Sequence, residues 1–540
     1  MAFRQLFGNE HAAVDDLLEE CYVPPPGLVT GKPILIGRWG AGKTGLLLHR
    51  NASLSREIKR RKPELDRIWY LDETALQLQT LKQVQELCGH DQHAVKRLLE
   101  DLWRSEILRC AVSILNELDQ FYGRRDGDHW TYIRGVFGKT TGSNIWDLVP
   151  VVFGIISSSK ERNQAFNDFV VKINSLNANQ THLALQKCLI DIRHFAVQPV
   201  VCIEPIETPN SQIEEATDLA QLLVTCLLNV FYKHFQPSER QLLRVEISIP
   251  WHRFNRDDVG EPQKLFPFIG RFKWTKSSLR SFINRRIEWE FRRIRKSFLE
   301  RSTLDAWDAL FQSTVRNSNT NDPEDTFAYI LRHSQYRVRD ILRLTREVVE
   351  YEAVYREETP DDVLHGRGGR KVSEKSIRAA IRETCRKTAI ERVLEAQRRF
   401  PAITDYVEAL RGLVIPFTVD DLKRRLRRRS EGDHPAAINK MLDWLWSSGI
   451  VGLQLKASSK AALNQLAASF GTSGLAIEYK DEAGGVFYLF EHLEDRTIND
   501  ILNTYGESSE HLDIRAKLVV HPMMFEYLDI RPVEDHPIGI

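Results

Sequence analysis

The sequence has no paired-cysteine motif. Its seven cysteines, Cys21, Cys88, Cys110, Cys188, Cys202, Cys226 and Cys385, are scattered over 540 residues without a CxxC. That scatter argues against a zinc module or a disulfide framework and predicts a reducing, cytoplasmic setting. Long apolar runs are also missing. The longest, near Leu148 to Ile156, contains Pro150 and Gly154 and is far too short to span a bilayer. The opening stretch MAFRQLFGNEHAAVDDLLEE is acidic and lacks an apolar core of signal-peptide length, so a soluble chain without membrane contact is expected. Neither charge sign dominates. The net formal charge is +1, so any nucleic-acid surface has to be local. No nuclease, protease or deaminase constellation is visible.

What is present is an ordinary globular composition, 42% hydrophobic and 28% charged, with a length that suggests about three or four domains. One motif is sharp. Gly37 to Thr44 reads GRWGAGKT: a glycine, four free positions, then Gly42, Lys43 and Thr44. Pro33 to Ile36 before it reads as a short buried strand, and Gly45 to Leu48 after it as the start of a helix. The glycines let backbone N–H groups close around phosphate oxygens without Cβ clashes, and the helix N-terminus adds its dipole. The expected binding loop comprises Gly37, Gly40, Ala41, Gly42, Lys43, Thr44 and Gly45. Lys43 supplies a cation to the β- and γ-phosphates, and the Thr44 hydroxyl is a ligand for Mg²⁺. The bland alternative is a glycine-rich turn that contains Lys-Thr.

A lead-in of about 30 residues carries a short helix over Asp15 to Cys21, stopped by Pro24, Pro25 and Pro26. After the loop, the helix is expected to run to about Lys62, followed by a strand over Arg67 to Asp72. From about 75 to 190 the pattern is helical. Val95, Leu98, Leu99, Leu102, Trp103, Ile107, Ala111, Ile114, Leu115 and Leu118 mark one long amphipathic helix, and Asp126 to Gly142 reads as a loop. Pro199 to Ile203 is an apolar strand ending in Glu204, with Glu207 three residues on. An acid at such a strand end suits metal binding. Glu204 is expected to hold Mg²⁺ through water and Glu207 to polarise the attacking water. A glutamate is one methylene longer than an aspartate, so the carboxylate is displaced by about an ångström from a group tuned to octahedral Mg²⁺. Intact binding with slow hydrolysis follows; the alternative is a strand-end acid without a metal role. Ala216 to Phe235 reads as a helix and Leu243 to Ile249 as a strand, with Ser248, His252 and Arg253 as candidates to sense a γ-phosphate.

A helix is expected from Lys276 to about Arg301, with Leu279, Phe282, Ile283, Ile287 and Phe291 on one face and arginines elsewhere; residues 302 to 358 continue helical. Tyr336-Arg337-Val338-Arg339-Asp340 opens a helix. Arg339 is the first choice for a second phosphate sensor and Arg337 the second, against a salt bridge to Asp340. Glu358 to Lys371 reads as a linker and Ser373 to Arg398 as a long charged helix. Thr418 caps a helix, Pro435 opens another with Ile438, Met441, Leu442, Leu445 and Trp446 as its stripe, and Ile450 to Leu455 and Val486 to Phe490 look like paired strands. Helix, turn, helix and two-stranded wing is a winged-helix pattern, with a long insert at about 456 to 484. Lys423, Arg424, Arg425, Arg427, Arg428 and Arg429 form a basic cluster that suits DNA phosphates, whereas only Asn439 and Lys440 suit base reading. DNA binding and protein packing both stay open.

Together these residues resemble bacterial AAA+/STAND-type phosphate-loop ATPases related to origin-recognition-complex ATPases. They look closer to a bacterial group with a lead-in like FGNEHA, a loop like IGRWGAGKT, a motif like WTKSSLRSFINRRI and an arginine pair like YRVRDIL. The resemblance implies an α/β P-loop NTPase core over 1–270, with a parallel sheet and a helical insertion at about 75–190. A helical lid (271–358), a linker and connecting helix (359–400) and a C-terminal winged-helix domain with an extension (401–540) would follow. It implies ATP and Mg²⁺ as cofactors, Lys43, Glu207 and Arg339 as catalytic residues, and Thr44 and Glu204 at the metal. It also implies a homo-oligomer or a partner effector protein, and use as a switch in DNA transactions or defence against phage. The chain departs from the family where Glu204 and Glu207 replace two aspartates. Two other functions stay open: a hydrolysis-impaired nucleotide-binding scaffold, and a DNA-binding initiator or regulator.

Overall fold

A computed structural model of the chain describes residues 6–10, 12, 15–25, 32–38, 40–49, 78–122, 126–137, 148–158, 162–192, 200–203, 213–237, 243–250, 254, 262–294, 305–317, 319–366, 370–397, 400, 402–427, 435–470, 474–478, 484–490, 498–506 and 514–533. The chain is mostly helical and divides into two compact units. One holds residues 27–39 and 43–272, the other residues 1–26, 40–42 and 273–540.

The first unit is built on a four-stranded parallel sheet. Its strands are β1 (Ile34–Gly37), β2 (Val200–Ile203), β3 (Arg244–Pro250) and β4 (Ile269–Arg271), in the order β2-β3-β1-β4. β1 and β2 read ILIG and VVCI and are buried at every position, as expected of parallel strands covered on both faces. Ile36 lies opposite Ile249 on β3 and Arg271 on β4. Because all four strands are parallel, the carboxyl ends of β1, β2 and β3 share one edge. Two helices pack over this sheet's core: α1 (Gln92–Tyr122) and α2 (Ile213–His234). The Trp103 indole on α1 donates to the Leu223 carbonyl on α2 at 3.1 Å, which satisfies a polar group on a fully buried ring.

Two stretches of this unit differ from the sequence expectation. The loop expected over Asp126 to Gly142 contains a helix, Asp128–Phe137. Trp130, Ile133 and Phe137 face inward at helical spacing, and the Trp130 indole donates to Asp191 at 2.8 Å. Burial of one aromatic stripe overrides the polar composition. β4 was also not anticipated. The strand expected over 67–72 and the helix beyond residue 49 lie outside the described residues.

The second unit is led by three helices, α3 (Lys276–Ile294), α4 (Val338–Arg356) and α5 (Glu374–Gln397). Their inward stripes, Leu279, Phe282, Ile283, Ile287 and Phe291 on α3 and Ile341, Leu342, Leu344, Val348 and Val349 on α4, share one core. The stretch expected to be helical from 302 to 358 is broken by a hairpin of Thr314–Arg316 with Pro323–Asp325. Its turn is closed by Asn317 N–H on the Asp322 carbonyl at 2.8 Å, and Pro323 has no N–H to continue a helix. The expected linker over Glu358 to Lys371 holds a short helix, Pro360–His365. Thr359 and Asp362 cap it reciprocally, left-handed Gly366 ends it, and Val363 and Leu364 are buried.

Further on, Thr418 and Asp421 form the same reciprocal cap on α6 (Val419–Arg427), and α7 (Pro435–Ser447) buries Met441, Leu442, Leu445 and Trp446. The two strands expected as a wing pair antiparallel, but they belong to a four-stranded sheet. It comprises β5 (Val451–Ala457), β6 (Gly474–Glu478), β7 (Gly485–Leu489) and β8 (Ile514–Val520), in the order β8-β5-β7-β6. The insert carries β6 and a helix, Lys460–Phe470, whose Leu463, Leu466 and Phe470 are buried. Among the described residues no helix is long and apolar enough to cross a membrane. None of the seven cysteines forms a disulfide, and all but Cys88 are buried.

Candidate functional site

β1 ends at Gly37, the chain turns through residues 40–42, and residues 43–49 are helical. The turn needs its glycines. Gly40 has φ +72° and Gly42 has φ +94°, conformations that side chains other than glycine rarely adopt. Lys43 begins the helix and is buried. Its ammonium donates to the carbonyls of Gly37 and Arg38, each at 3.0 Å. A buried cation has to be compensated, and here the loop's own carbonyl oxygens contribute. Thr44 stands in the first helical turn, and Gly45, Leu46 and Leu47 behind it are buried. β2 stops at Ile203, immediately before Glu204. Glu204, Glu207, His252 and Arg253 lie outside the described residues. Ser248 does not end a strand: β3 runs on to Pro250, and Ser248 is buried inside it opposite Leu35.

Residues 40–42 pack within the second unit. The Arg339 N–H donates to the Gly40 carbonyl at 3.2 Å, and the buried Trp274 indole donates to the Ala41 carbonyl at 2.8 Å. A Cβ on Gly40 would stand 2.9 Å from the Arg339 Cβ, and one on Gly42 3.2 Å from Val338 Cγ2. Arg339 therefore lies along the loop. Its Nε is buried with no hydrogen-bond partner among the described residues.

Arg337 is placed differently. It is buried at the N-cap of α4, donating to Asp340 through Nε at 2.8 Å and Nη2 at 2.7 Å, with Glu395 at 3.6 Å. Burial opposes ionisation of Asp340, but Arg337 overrides it and holds the carboxyl below its usual range. The salt bridge to Asp340 weighed as the alternative is present at Arg337. Position along the sequence could not separate the two arginines, because the buried acid that claims one of them is set by tertiary packing.

The lead-in has a structural assignment. The Arg286 guanidinium on α3 donates to the Phe7 carbonyl at 2.6 Å and pairs with Asp15 at 2.6 Å, both ion-pair side chains being buried. Glu10 pairs with Arg343 at 2.8 Å and with Arg346. Burial raises the Glu10 pKa, but the two arginines outweigh it and hold it low. Gly8, φ +87°, has no room for a side chain: a Cβ would lie 2.3 Å from both Arg286 Nη1 and Asp15 Oδ1. Parts of the stretches FGNEHA and WTKSSLRSFINRRI, and the arginines just after YRVRDIL, thus meet in one network. Sequence spacing carried no signal of it.

Three of the six basic residues in the cluster on and after α6 have local partners. Lys423 faces Asp420 at 3.6 Å, Arg424 pairs with Asp421, and Arg425 donates to the Gly412 carbonyl at 3.0 Å. Arg427 closes the helix, and Arg428 and Arg429 lie outside the described residues. Asn439 on α7 is exposed. Comparison with protein-family models, with curated proteins and with solved structures gives no match for this chain.

Proposed function

We propose that the chain is an ATP-binding switch ATPase of the AAA+/STAND type. The observation that carries this reading is the loop GRWGAGKT at the carboxyl end of β1 in a parallel sheet, with Gly40 and Gly42 in left-handed conformations and the buried Lys43 ammonium resting on loop carbonyls. Ligands of open parallel sheets bind at the carboxyl edge of the strands. In this reading Lys43 moves from the carbonyls of Gly37 and Arg38 to the β- and γ-phosphates. Thr44 and Glu204 hold Mg²⁺, which neutralises charge on the phosphate oxygens when bound. Glu207 orients water, and Arg339, packed along Gly40, reports the γ-phosphate.

The C-terminal module, read as a winged helix with an extended sheet, is the output. The local engagement of Lys423, Arg424 and Arg425 favours a protein partner, a second copy or an effector, over a DNA duplex. The setting that fits is a nucleotide-controlled step in DNA transactions or in phage defence. Phosphate release from ATP with Mg²⁺ tests the chemistry. Turnover is expected to fall well below the common enzyme value of about 10 s⁻¹, to disappear in Glu207→Gln, and to rise in the double change of Glu204 and Glu207 to aspartate. Unchanged turnover in Glu207→Gln contradicts the catalytic assignment. Tight ATP binding without turnover in any variant replaces the switch with a nucleotide-held scaffold.

A further inference from the structure

We infer that Trp274 is a positioning residue for the phosphate loop, acting through the carbonyl of Ala41. The inference rests on the nucleotide-binding reading above. In a trans peptide the C=O and the following N–H point in opposite directions. The Arg339 amide holds the Gly40 carbonyl and the Trp274 indole holds the Ala41 carbonyl. Pinning these two consecutive carbonyls turns the N–H groups of Ala41 and Gly42 to the opposite side. Two successive N–H groups facing one side, next to the left-handed Gly40 and Gly42, make an anion-binding concavity.

Both donors are supplied by helix starts. The Arg339 N–H is one of the first amides of α4, which have no acceptor inside their own helix. Trp274 stands two residues before α3, whose start is capped by Thr275 and Ser278: Thr275 N–H donates to Ser278 Oγ at 2.9 Å and Ser278 N–H to Thr275 Oγ1 at 3.1 Å. Phe282 stands edge-on to the indole at 6.0 Å. The ring is therefore set by its own helix, and its buried N–H finds its acceptor on the loop. A tryptophan that merely filled this core would be replaceable by another aromatic ring without effect on the loop.

Trp274→Phe keeps the aromatic ring and removes the donor. ATP affinity is expected to fall about fivefold to tenfold, the worth of one buried hydrogen bond, with the circular dichroism spectrum of the wild type. Lys43→Ala is the companion variant and loses binding. The second readout is the indole N–H signal in protein labelled with ¹⁵N-tryptophan, assigned by its loss in Trp274→Phe, or in Trp274→Tyr should the phenylalanine variant not fold. In nucleotide-free protein it exchanges slowly with solvent, and it shifts on addition of Mg²⁺·ATP but not adenosine. Trp274→Phe binding ATP within twofold of wild type while Lys43→Ala does not, or an indole signal indifferent to Mg²⁺·ATP, overturns the role of Trp274 and leaves the nucleotide site standing. Wild-type protein that binds no nucleotide overturns both.

Discussion

Asp340 is the acid around which the start of α4 is built, and replacing it with asparagine has a calculable consequence. Its carboxylate accepts two hydrogen bonds from Arg337, at 2.7 and 2.8 Å, and one from the Gln335 amide at 3.1 Å, with Arg392 at 3.8 Å. All four groups are buried. In Asp340→Asn, two buried guanidinium groups are left with Glu395 as the remaining carboxylate recorded within reach of both. Breaking a buried pair from one side costs roughly 3–5 kcal/mol. The asparagine oxygen still accepts one or two of the same bonds, which places the expected loss near the lower end, about 3 kcal/mol. A chain of several units does not unfold in one step, so the assay is local: amide hydrogen exchange of α4 and α5 peptides. A loss of about 3 kcal/mol is a fall in protection of roughly a hundredfold. Replacing Arg337 by Met and Asp340 by Leu together removes both charges and leaves Glu395 to Arg392, so protection is expected to recover most of the way. The pH dependence has a defined sign. Asp340 is held below its usual range by Arg337, so its contribution is complete above the unfolded carboxylate pKa of about 4 and is lost as pH falls through the lower folded value. Protection in Asp340→Asn within threefold of wild type, or a double variant no better protected than the single one, refutes this reasoning.

Two further outcomes follow from the same structure. Gly40→Ala combines an unfavourable φ of +72° with a Cβ 2.9 Å from Arg339, so ATP affinity should fall at least about tenfold; calorimetric titration checks this, and wild-type affinity contradicts the loop geometry. His234, at the end of α2, is pushed down to about 4 by burial, then by Arg104 and His182. The unfolded chain takes up that proton near 6.5 and the folded chain only near 4, so stability declines as pH falls between these values; His234→Asn should flatten that limb, and a histidine NMR titration midpoint near 6.5 contradicts it.

The parts of the fold legible in sequence are those decided locally. β1, β2 and β3 are short apolar runs, and α1, α3 and α4 carry stripes at three- and four-residue spacing, so period alone finds them. The candidate phosphate loop stands out in sequence because glycine, lysine and threonine lie at fixed offsets within eight residues. β4 is not: three residues, Ile269 to Arg271, become a strand only because β1 offers them an edge. Nor is the helix Asp128–Phe137, whose polar sequence is held by burial of Trp130 against a distant segment. β8 extends what looked like a two-stranded wing by pairing with the distant β5, and β6 adds a further strand by pairing with β7, the next strand along the chain. The same limit applies to the site. Lys43 is a candidate on sequence offset alone, but the contrast between Arg337 and Arg339 depends on which of them pairs with Asp340. The Phe7 to Glu290 contact joins residues 283 positions apart. Trp274 in sequence is an apolar residue two positions before a helix, and nothing there shows that its N–H reaches the Ala41 carbonyl.

The central claim, that Gly37 to Gly45 binds the phosphates of ATP, is tested most directly by equilibrium binding of labelled ATP with Mg²⁺ to the wild-type chain and to Lys43→Ala, each checked for native circular dichroism. The account predicts saturable binding to the wild type, one nucleotide per chain, and its loss in a folded Lys43→Ala. A folded Lys43→Ala that binds ATP as tightly as the wild type, or a wild type that binds none, contradicts it.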